Sequence, residues 1–378
     1  MTAGAFNQGS SGASRSGFGL AIGALAAGVL AWTTGPASAI TLIFQDIINA
    51  NDPTFNQELG INNTATIAGY FGSGAAGHPN LGYTVLPPFG QANFTAENFP
   101  GSAQTQVTGL NNVGTTVGFF SGTNNGGGTD SNFGFARIGG SFVQVNNPNT
   151  ATTPPVFNQL LGANDNNVAV GFYTDAGGVT HGYTYDIGTA TFSPNIDAPN
   201  AVGNTTTAAI NNQGIIVGFY TDAAGVFHGF ADNGGAFKTI DVAGAINTSL
   251  LGVNNLGMAV GFDIDAAMKM HGVVCDINTG ACQGLDDPNG VGTTTFNGVN
   301  DRGDIVGFYV NGQDQTIGLV AAPLLEAAAV PEPGSLALLS VGLFGIGVIR
   351  RRIRRRSAAA RNPLSPRLTD STSCRSRK

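Results

Sequence analysis

The chain has 378 residues, a formal charge of −7, only 10% charged residues and 57 glycines. Charge is divided sharply: Arg350 to Lys378 holds 11 of the 16 Lys and Arg, whereas Ile40 to Val330 holds 4 against 21 Asp and Glu, a formal −17. A body this acidic repels phosphate backbones, which argues against nucleic acid as a partner. Its neutral polar, glycine-rich composition suits an extracellular β protein with many turns.

Residues 1–39 read as a secretory signal peptide. Arg15 precedes an apolar stretch from Phe18 to Trp32, and Ala37-Ser38-Ala39 supplies the small-x-small end, placing cleavage after Ala39.

The body, residues 40–324, repeats itself. Asn-Asn or Asn-Asp pairs begin at Asn62, Asn111, Asn164, Asn211, Asn254 and Asn300. Each leads to a Gly-aromatic pair, at Gly69, Gly118, Gly171, Gly218, Gly261 and Gly307, with spacings of 49, 53, 47, 43 and 46 residues. One unit reads as four strands: Ser249 to Val253, Met258 to Asp263, His271 to Asp276 and Cys282 to Leu285. The second is apolar on both faces and so is expected to be central. Four strands in roughly 45 residues is the length of a propeller blade.

The last unit has three strands, Thr294 to Val299, Asp304 to Val310 and Thr316 to Ala321, and lacks a fourth. The fourth-strand pattern of Phe237 to Asp241 appears instead at Phe44 to Ile48. The expected fold is therefore all-β: a six-bladed propeller of four-stranded blades closed by the N-terminal strand, which removes exposed sheet edges. An open β-solenoid does not explain why one end lacks what the other supplies.

The six Asn pairs are turn residues first. If the inner strands line a channel, the turns crowd one rim, and a rim of amides also suits sugar hydroxyls or a cation. Cys275 and Cys282 flank a hairpin loop and are a candidate disulfide in an oxidising compartment, with two reduced buried thiols as the alternative. His181, His228 and His271 recur at one repeat position, with His78 a looser match; a propeller holds such positions too far apart to share one metal. No cofactor is called for. Calcium is the candidate ion for the loops begun by Asp175, Asp222 and Asp263-Ile264-Asp265, although their acidic spacing is sparse. No nucleophile elbow, phosphate loop, zinc signature or marked acid/base couple is found, Asp286-Asp287 included, so no catalytic residue is assigned.

Residues 325–334 form a linker containing Pro331-Glu332-Pro333, residues 335–353 an apolar segment ending in arginines, and residues 354–378 a basic tail. The apolar core, Leu336 to Ile349, falls short of the ~20 residues of a spanning helix. Snorkelling arginines extend it, giving a marginal single transmembrane helix with its arginines in the cytoplasm.

The arrangement from Val330 to Arg356 resembles the PEP-CTERM sorting signal of Gram-negative bacteria. The resemblance implies that Pro331, Glu332 and Pro333 are the recognition motif and that an exosortase is the processing partner. It also implies transient inner-membrane anchoring, a surface or extracellular-matrix destination, and an association with exopolysaccharide and biofilm. The signal normally ends soon after its arginines, whereas here Ser357 to Lys378 continues. The body resembles HAF-type extracellular repeats, with His228-Gly229-Phe230 close to that signature. The expected function is structural or binding, with polysaccharide or another surface protein as ligand. The alternative is a secreted glycan-active enzyme, a lyase or hydrolase, with its site at the channel mouth. Asymmetry between blades discriminates the two.

Overall fold

The computed structural model describes residues 40–126 and 129–324. The chain divides into two units after Leu324, and every described residue belongs to the first.

Strand β1 (Leu42–Ile47) comes first and is set aside by the chain until the end. Blade 1 is β2 (Asn56–Ile61), β3 (Ile67–Phe71), β4 (Leu81–Val85) and β5 (Phe94–Ala96). Blade 2 is β6 (Gln104–Leu110), β7 (Thr116–Ser121), β8 (Phe133–Ile138) and β9 (Ser141–Val145). Blade 3 is β10 (Asn158–Ala163), β11 (Val168–Thr174), β12 (Thr180–Asp186) and β13 (Thr191–Phe192). Blade 4 is β14 (Thr205–Ile210), β15 (Ile216–Thr221), β16 (Phe227–Asn233) and β17 (Ala236–Ile240). Blade 5 is β18 (Asn247–Val253), β19 (Met258–Ile264), β20 (Met270–Asp276) and β21 (Cys282–Gly284). Blade 6 is β22 (Thr294–Val299), β23 (Ile305–Val310), β24 (Thr316–Pro323) and, on its outer edge, β1.

Each blade is an antiparallel meander, in sequence order in blades 1 to 5 and completed by β1 in blade 6, and the six make an all-β propeller. Closure follows the expected pairing: β1 runs antiparallel to β24, with Phe44 opposite Ala321 and Ile47 opposite Gly318. The Leu324 amide then donates to Thr41 O at 2.8 Å. Without β1, strand β24 would present a row of unpaired backbone groups.

Why these segments make stacked blades is visible in their burial. Inner strands are covered on both faces, as in β22, where all six residues are buried. Outer strands β9 and β17 are largely exposed, each with three of five residues in solvent and only the last buried. The apolar clusters straddle blade boundaries: Val117, Ala136 and Val145 of blade 2 pack with Leu160, Ala169 and Tyr183 of blade 3. Each such side chain contributes roughly 1.5–3 kcal/mol when fully buried. The glycine before each aromatic is required by this packing. A Cβ at Gly261 would fall on Ser249 O and lie 2.9 Å from Leu250 Cα. Nearer the axis, a Cβ at Gly109 would lie 2.7 Å from Leu161 O of the next blade.

Cys275 and Cys282 face each other across β20 and β21 and are joined as a disulfide, with Cα atoms 4.1 Å apart. The expected transmembrane helix finds no support among the described residues: none of their helices is long and apolar enough to cross a membrane. Residues 335–353 themselves lie outside the described part, as do the signal peptide with Ala39 and the motif Pro331-Glu332-Pro333.

Candidate functional site

The first residues of the six turns between inner and second strands converge on the axis, as the repeat reading requires. Their amides, however, are already engaged. In each, Oδ1 accepts two backbone N–H groups of its own turn, as at Asn211, from Gln213 at 3.1 Å and Ile215 at 3.0 Å. Each Nδ2 donates to the carbonyl of the equivalent residue in the next blade. The donations run Asn62 to Asn111 (3.3 Å), Asn111 to Asn164 (2.9 Å), Asn164 to Asn211 (3.0 Å), Asn211 to Asn254 (3.2 Å), Asn254 to Asn300 (3.0 Å) and Asn300 back to Asn62 (3.1 Å). The six form a closed ring of side-chain hydrogen bonds.

The residue after each one makes a second ring. Backbone N–H groups of Asn63, Asn112, Asp165, Asn212, Asn255 and Asp301 donate to the side-chain Oδ1 of the next member, at 2.7 to 2.9 Å, and the ring closes from Asp301 to Asn63. Asp165 and Asp301 sit three blades apart. Asp165 Oδ2 accepts from Asn112 (2.9 Å) and Asn212 (2.7 Å), and Asp301 Oδ2 from Asn255 (2.9 Å) and Asn63 (2.7 Å). Burial opposes ionisation of Asp165, but these amide donors outweigh it and hold its carboxyl below the usual range. The mouth encloses about 70 Å³. The rim of Asn62, Asn111, Asn164, Asn211, Asn254 and Asn300 is therefore a fastening between blades, with its amide groups committed to protein partners.

The other face is chemically different. Linkers between blades and loops between second and third strands lie there, by the antiparallel order. On blades 3, 4 and 5 an imidazole stands between two carboxylates. His181 Nδ1 is 3.0 Å from Asp197 and Nε2 is 3.6 Å from Asp175. His228 is 2.8 Å from Asp241 and 3.4 Å from Asp222. His271 is 2.7 Å from Asp286 and 3.4 Å from Asp265. The three histidines share a repeat position but form three separate clusters. The sequence pattern pointed to the imidazoles, but it read Asp175, Asp222 and Asp265 as loop calcium donors and did not pair any carboxylate with them. The upstream Asp precedes each His by six residues, a regularity legible in the chain; the downstream Asp comes from the linker and needs the fold.

Asp175, Asp222 and Asp265 also close their own loops. Asp265 Oδ1 accepts from Ala267 and Lys269, both at 2.8 Å. These backbone donors account for much of why all three carboxyls are held below the usual range. For His228, burial works against the charged form, but hydrogen bonds to Asp241 and Asp222 prevail and raise its pKa. For His271, the bond to Asp286 is the main cause of a raised pKa. No Ser, Thr or Cys among the described residues hydrogen-bonds these imidazoles. Among the described residues, no group of three or more His, Cys, Asp or Glu can hold a metal ion.

Two of the buried carboxyl groups carry an oxygen without a hydrogen-bond partner among the described residues. Glu58 faces Gly69 across β2 and β3, where the other blades place Val107, Leu160, Thr207, Leu250 and Phe296. It is 0% exposed, at the seam between blades 6 and 1. Its Oε1 accepts from Tyr83 Oη at 2.6 Å, and its Oε2 has no partner. Burial pushes its carboxyl up to about 8. Asp287, in the linker between blades 5 and 6, is 2% exposed, and its Oδ2 is likewise unpartnered.

Beyond this ring, the C-terminal part of the sequence carries its own signature. Residues 329–355 are a PEP-CTERM protein-sorting motif. A PEP-CTERM motif implies an exported protein sorted by an exosortase. The motif covers only this short segment and assigns no role to the propeller. No curated protein matches the chain significantly in sequence. Among solved structures, the chain is similar to putative TolB from Agrobacterium tumefaciens, at 12% identity over 76% of this chain and 100% of that one, TM-score 0.47. It is similar to TolB from Acinetobacter baumannii at 10% identity over 73% of this chain and 66% of that one, TM-score 0.45. It is similar to AofleA from Arthrobotrys oligospora at 10% identity over 79% and 93%, TM-score 0.44.

Proposed function

We propose that the protein is a surface or extracellular-matrix component whose propeller is a structural or ligand-binding module. It is briefly held in the inner membrane by residues 335–353 and released by exosortase processing at Pro331-Glu332-Pro333. The observation that carries this reading is the sorting motif at 329–355, placed directly after a ring whose last strand ends at Pro323. Residues 40–324 are read as HAF-type repeats, and polysaccharide or another surface protein as the ligand class. The closed hydrogen-bond rings at the axis support a scaffold over a catalytic channel, because they commit the polar groups of the mouth to neighbouring blades.

Cell fractionation with mass measurement of the mature chain tests the sorting half. The expected species begins at Ile40, ends near Pro333 and is found outside the inner membrane. An intact C-terminus in the membrane fraction would make it a permanent membrane protein. A glycan array beside a polysaccharide-degradation assay tests the other half: binding without product release is expected, and product release would establish an enzyme.

A further inference from the structure

We propose that His228 and His271 are proton-operated pins between the hairpin loops of blades 4 and 5 and the linkers that follow those blades, engaged while the ring carries both protons and released on the loop side when it loses one. Each imidazole lies between two segments that reach it separately. His228 Nδ1 is 2.8 Å from Asp241 in the linker, and its Nε2 is 3.4 Å from Asp222 in the β15–β16 loop. His271 Nδ1 is 2.7 Å from Asp286, and its Nε2 is 3.4 Å from Asp265 in the β19–β20 loop. A carboxylate accepts hydrogen bonds and does not donate them, so both contacts are bonds at once only when the ring has two N–H groups. Blade 3 is a looser copy: His181 Nδ1 meets both oxygens of Asp197 at 3.0 Å, but Asp175 stays 3.6 Å from Nε2.

Blade 6 shows that the loop itself does not need the charges. Asn311 stands where Asp222 and Asp265 do and closes the same turn, its Oδ1 accepting from Gln313 at 2.9 Å and Gln315 at 3.0 Å. Ile317 lies opposite Tyr309 as His228 lies opposite Tyr220, and Ile48 follows Ile47 as Asp241 follows Ile240. Imidazole, loop carboxylate and linker carboxylate thus occur together in blades 3 to 5 and are replaced together in blade 6. In blades 4 and 5, Oδ1 of the loop Asp closes the turn and Oδ2 faces the imidazole, so both oxygens are committed to protein partners.

Other groups also face the rings. Tyr220 stacks on His228 with centroids 5.2 Å apart. Asp263 lies opposite His271 across β19 and β20, and Lys269 is the cation on the loop that Asp265 closes. For His228 burial opposes the charge and the two carboxylates outweigh it; for His271 the bond to Asp286 leads. When a proton leaves, one nitrogen turns a lone pair toward a carboxylate. The shorter contact, from Nδ1 to the linker, keeps the remaining proton, so the contact from Nε2 to the loop is the one that breaks. The loop is then held by its own turn alone, as in blade 6. Each cluster passes from one net negative charge to two, and the linker face becomes more acidic.

The chain has four histidines, so NMR titration of the full chain resolves each ring. His228 and His271 should titrate above their ordinary value of 6.5, and D241N should lower the His228 value by about 0.5 unit. Hydrogen exchange read by mass spectrometry supplies the second measurement, with residues 311–317 as the internal control because that loop has no His. Protection of residues 222–227 relative to the control should fall about two- to fivefold as the pH passes the His228 value. In H228Q and in D222N, whose amide can close the turn as Asn311 does, the relative protection should stay flat with pH. The proposal is overturned if His228 titrates at or below 6.5, if D241N leaves its titration unchanged, if wild-type relative protection is flat across the titration, or if H228Q and D222N show the wild-type fall.

Discussion

Replacing Glu58 by glutamine or leucine measures what an unneutralised acid does inside the propeller seam. In the folded ring the carboxyl is pushed up to about 8 from its ordinary value of 4.5, because burial disfavours the charge more than the Tyr83 hydroxyl favours it. Between pH 4.5 and 8 the folded state therefore keeps a proton that the unfolded chain has released. The folded state binds more protons, so stability falls as pH rises across that window and levels off on either side. The slope is about 1.4 kcal/mol per pH unit at its steepest, and from pH 5 to pH 8 the loss sums to about 3.5 kcal/mol. Urea unfolding of wild type, E58Q and E58L at pH 5, 6, 7 and 8 isolates this group, since all other titrations cancel in the difference. Both variants should gain on the wild type by about 3.5 kcal/mol between pH 5 and pH 8. E58L should be well tolerated, because Leu160 and Leu250 fill the same place in blades 3 and 5. The three unfolding curves keeping constant separation at every pH would refute the reasoning: Glu58 would then be ionised and solvated, and the seam loosely packed.

Four further outcomes are expected. Asn211→Ala removes one inter-blade and two turn hydrogen bonds and should cost about 2–4 kcal/mol in urea unfolding; a loss under 0.5 kcal/mol would mean water replaces the ring. Reducing the Cys275–Cys282 bond releases a short hairpin loop and should cost about 2.5 kcal/mol by chain entropy, read as a lower urea midpoint in dithiothreitol. His228→Gln should lose stability at acid pH and converge on wild type as pH rises, because the raised imidazole pKa contributes below its unfolded value and fades as the folded value is passed; NMR titration of the ring protons checks the direction. Deleting residues 40–47 uncovers β24 and should shift the protein to larger species than the full-length chain in sedimentation velocity.

The parts of the structure legible in the sequence are those set by local pattern. The Gly-aromatic pair marks every central strand because a Cβ there collides with the neighbouring strand, so Gly261 and its equivalents keep register visible along the chain. The absence of a fourth strand after Ala321 and its surplus at Phe44 gave the closure away. The Asn pairs were correctly placed at the axis, but their chemistry was not readable. An amide that closes its own turn and also reaches the next blade is known only once the curvature of the ring brings blades within 3 Å. Glu58 was missed for a related reason. Gln57-Glu58 inside a strand reads as a solvent-facing pair, yet an inner strand is covered on both sides, and Gly69 and Gly318 leave the space its carboxyl occupies. A Cβ at Gly69 would lie 2.6 Å from Oε2 and one at Gly318 2.5 Å from Oε1. Downstream partners of the histidines were hidden because linkers of differing length bring Asp197, Asp241 and Asp286 back to them over 16, 13 and 15 residues.

The division of labour between the two faces follows from symmetry and has a consequence for ligand recognition. A ring of hydrogen bonds closes only if every blade contributes the same group in the same place, so the face of Asn turns is constrained to near identity in all six blades. The linker face carries no such constraint. Its loops answer to one neighbour at a time, which is why Asp, Ala, Val, Asn and Phe stand at the position of Asp287 and why the repeat position of His181, His228 and His271 holds His in three blades only. Distinct side chains can accumulate there without opening the axis. A ligand of the proposed kind would therefore meet unspent groups at the linkers between blades 3 and 6, where imidazoles, carboxylates and the exposed Val202, Ile246 and Val291 are grouped, whereas the opposite face would offer it six turns whose asparagine amides already bond to neighbouring blades.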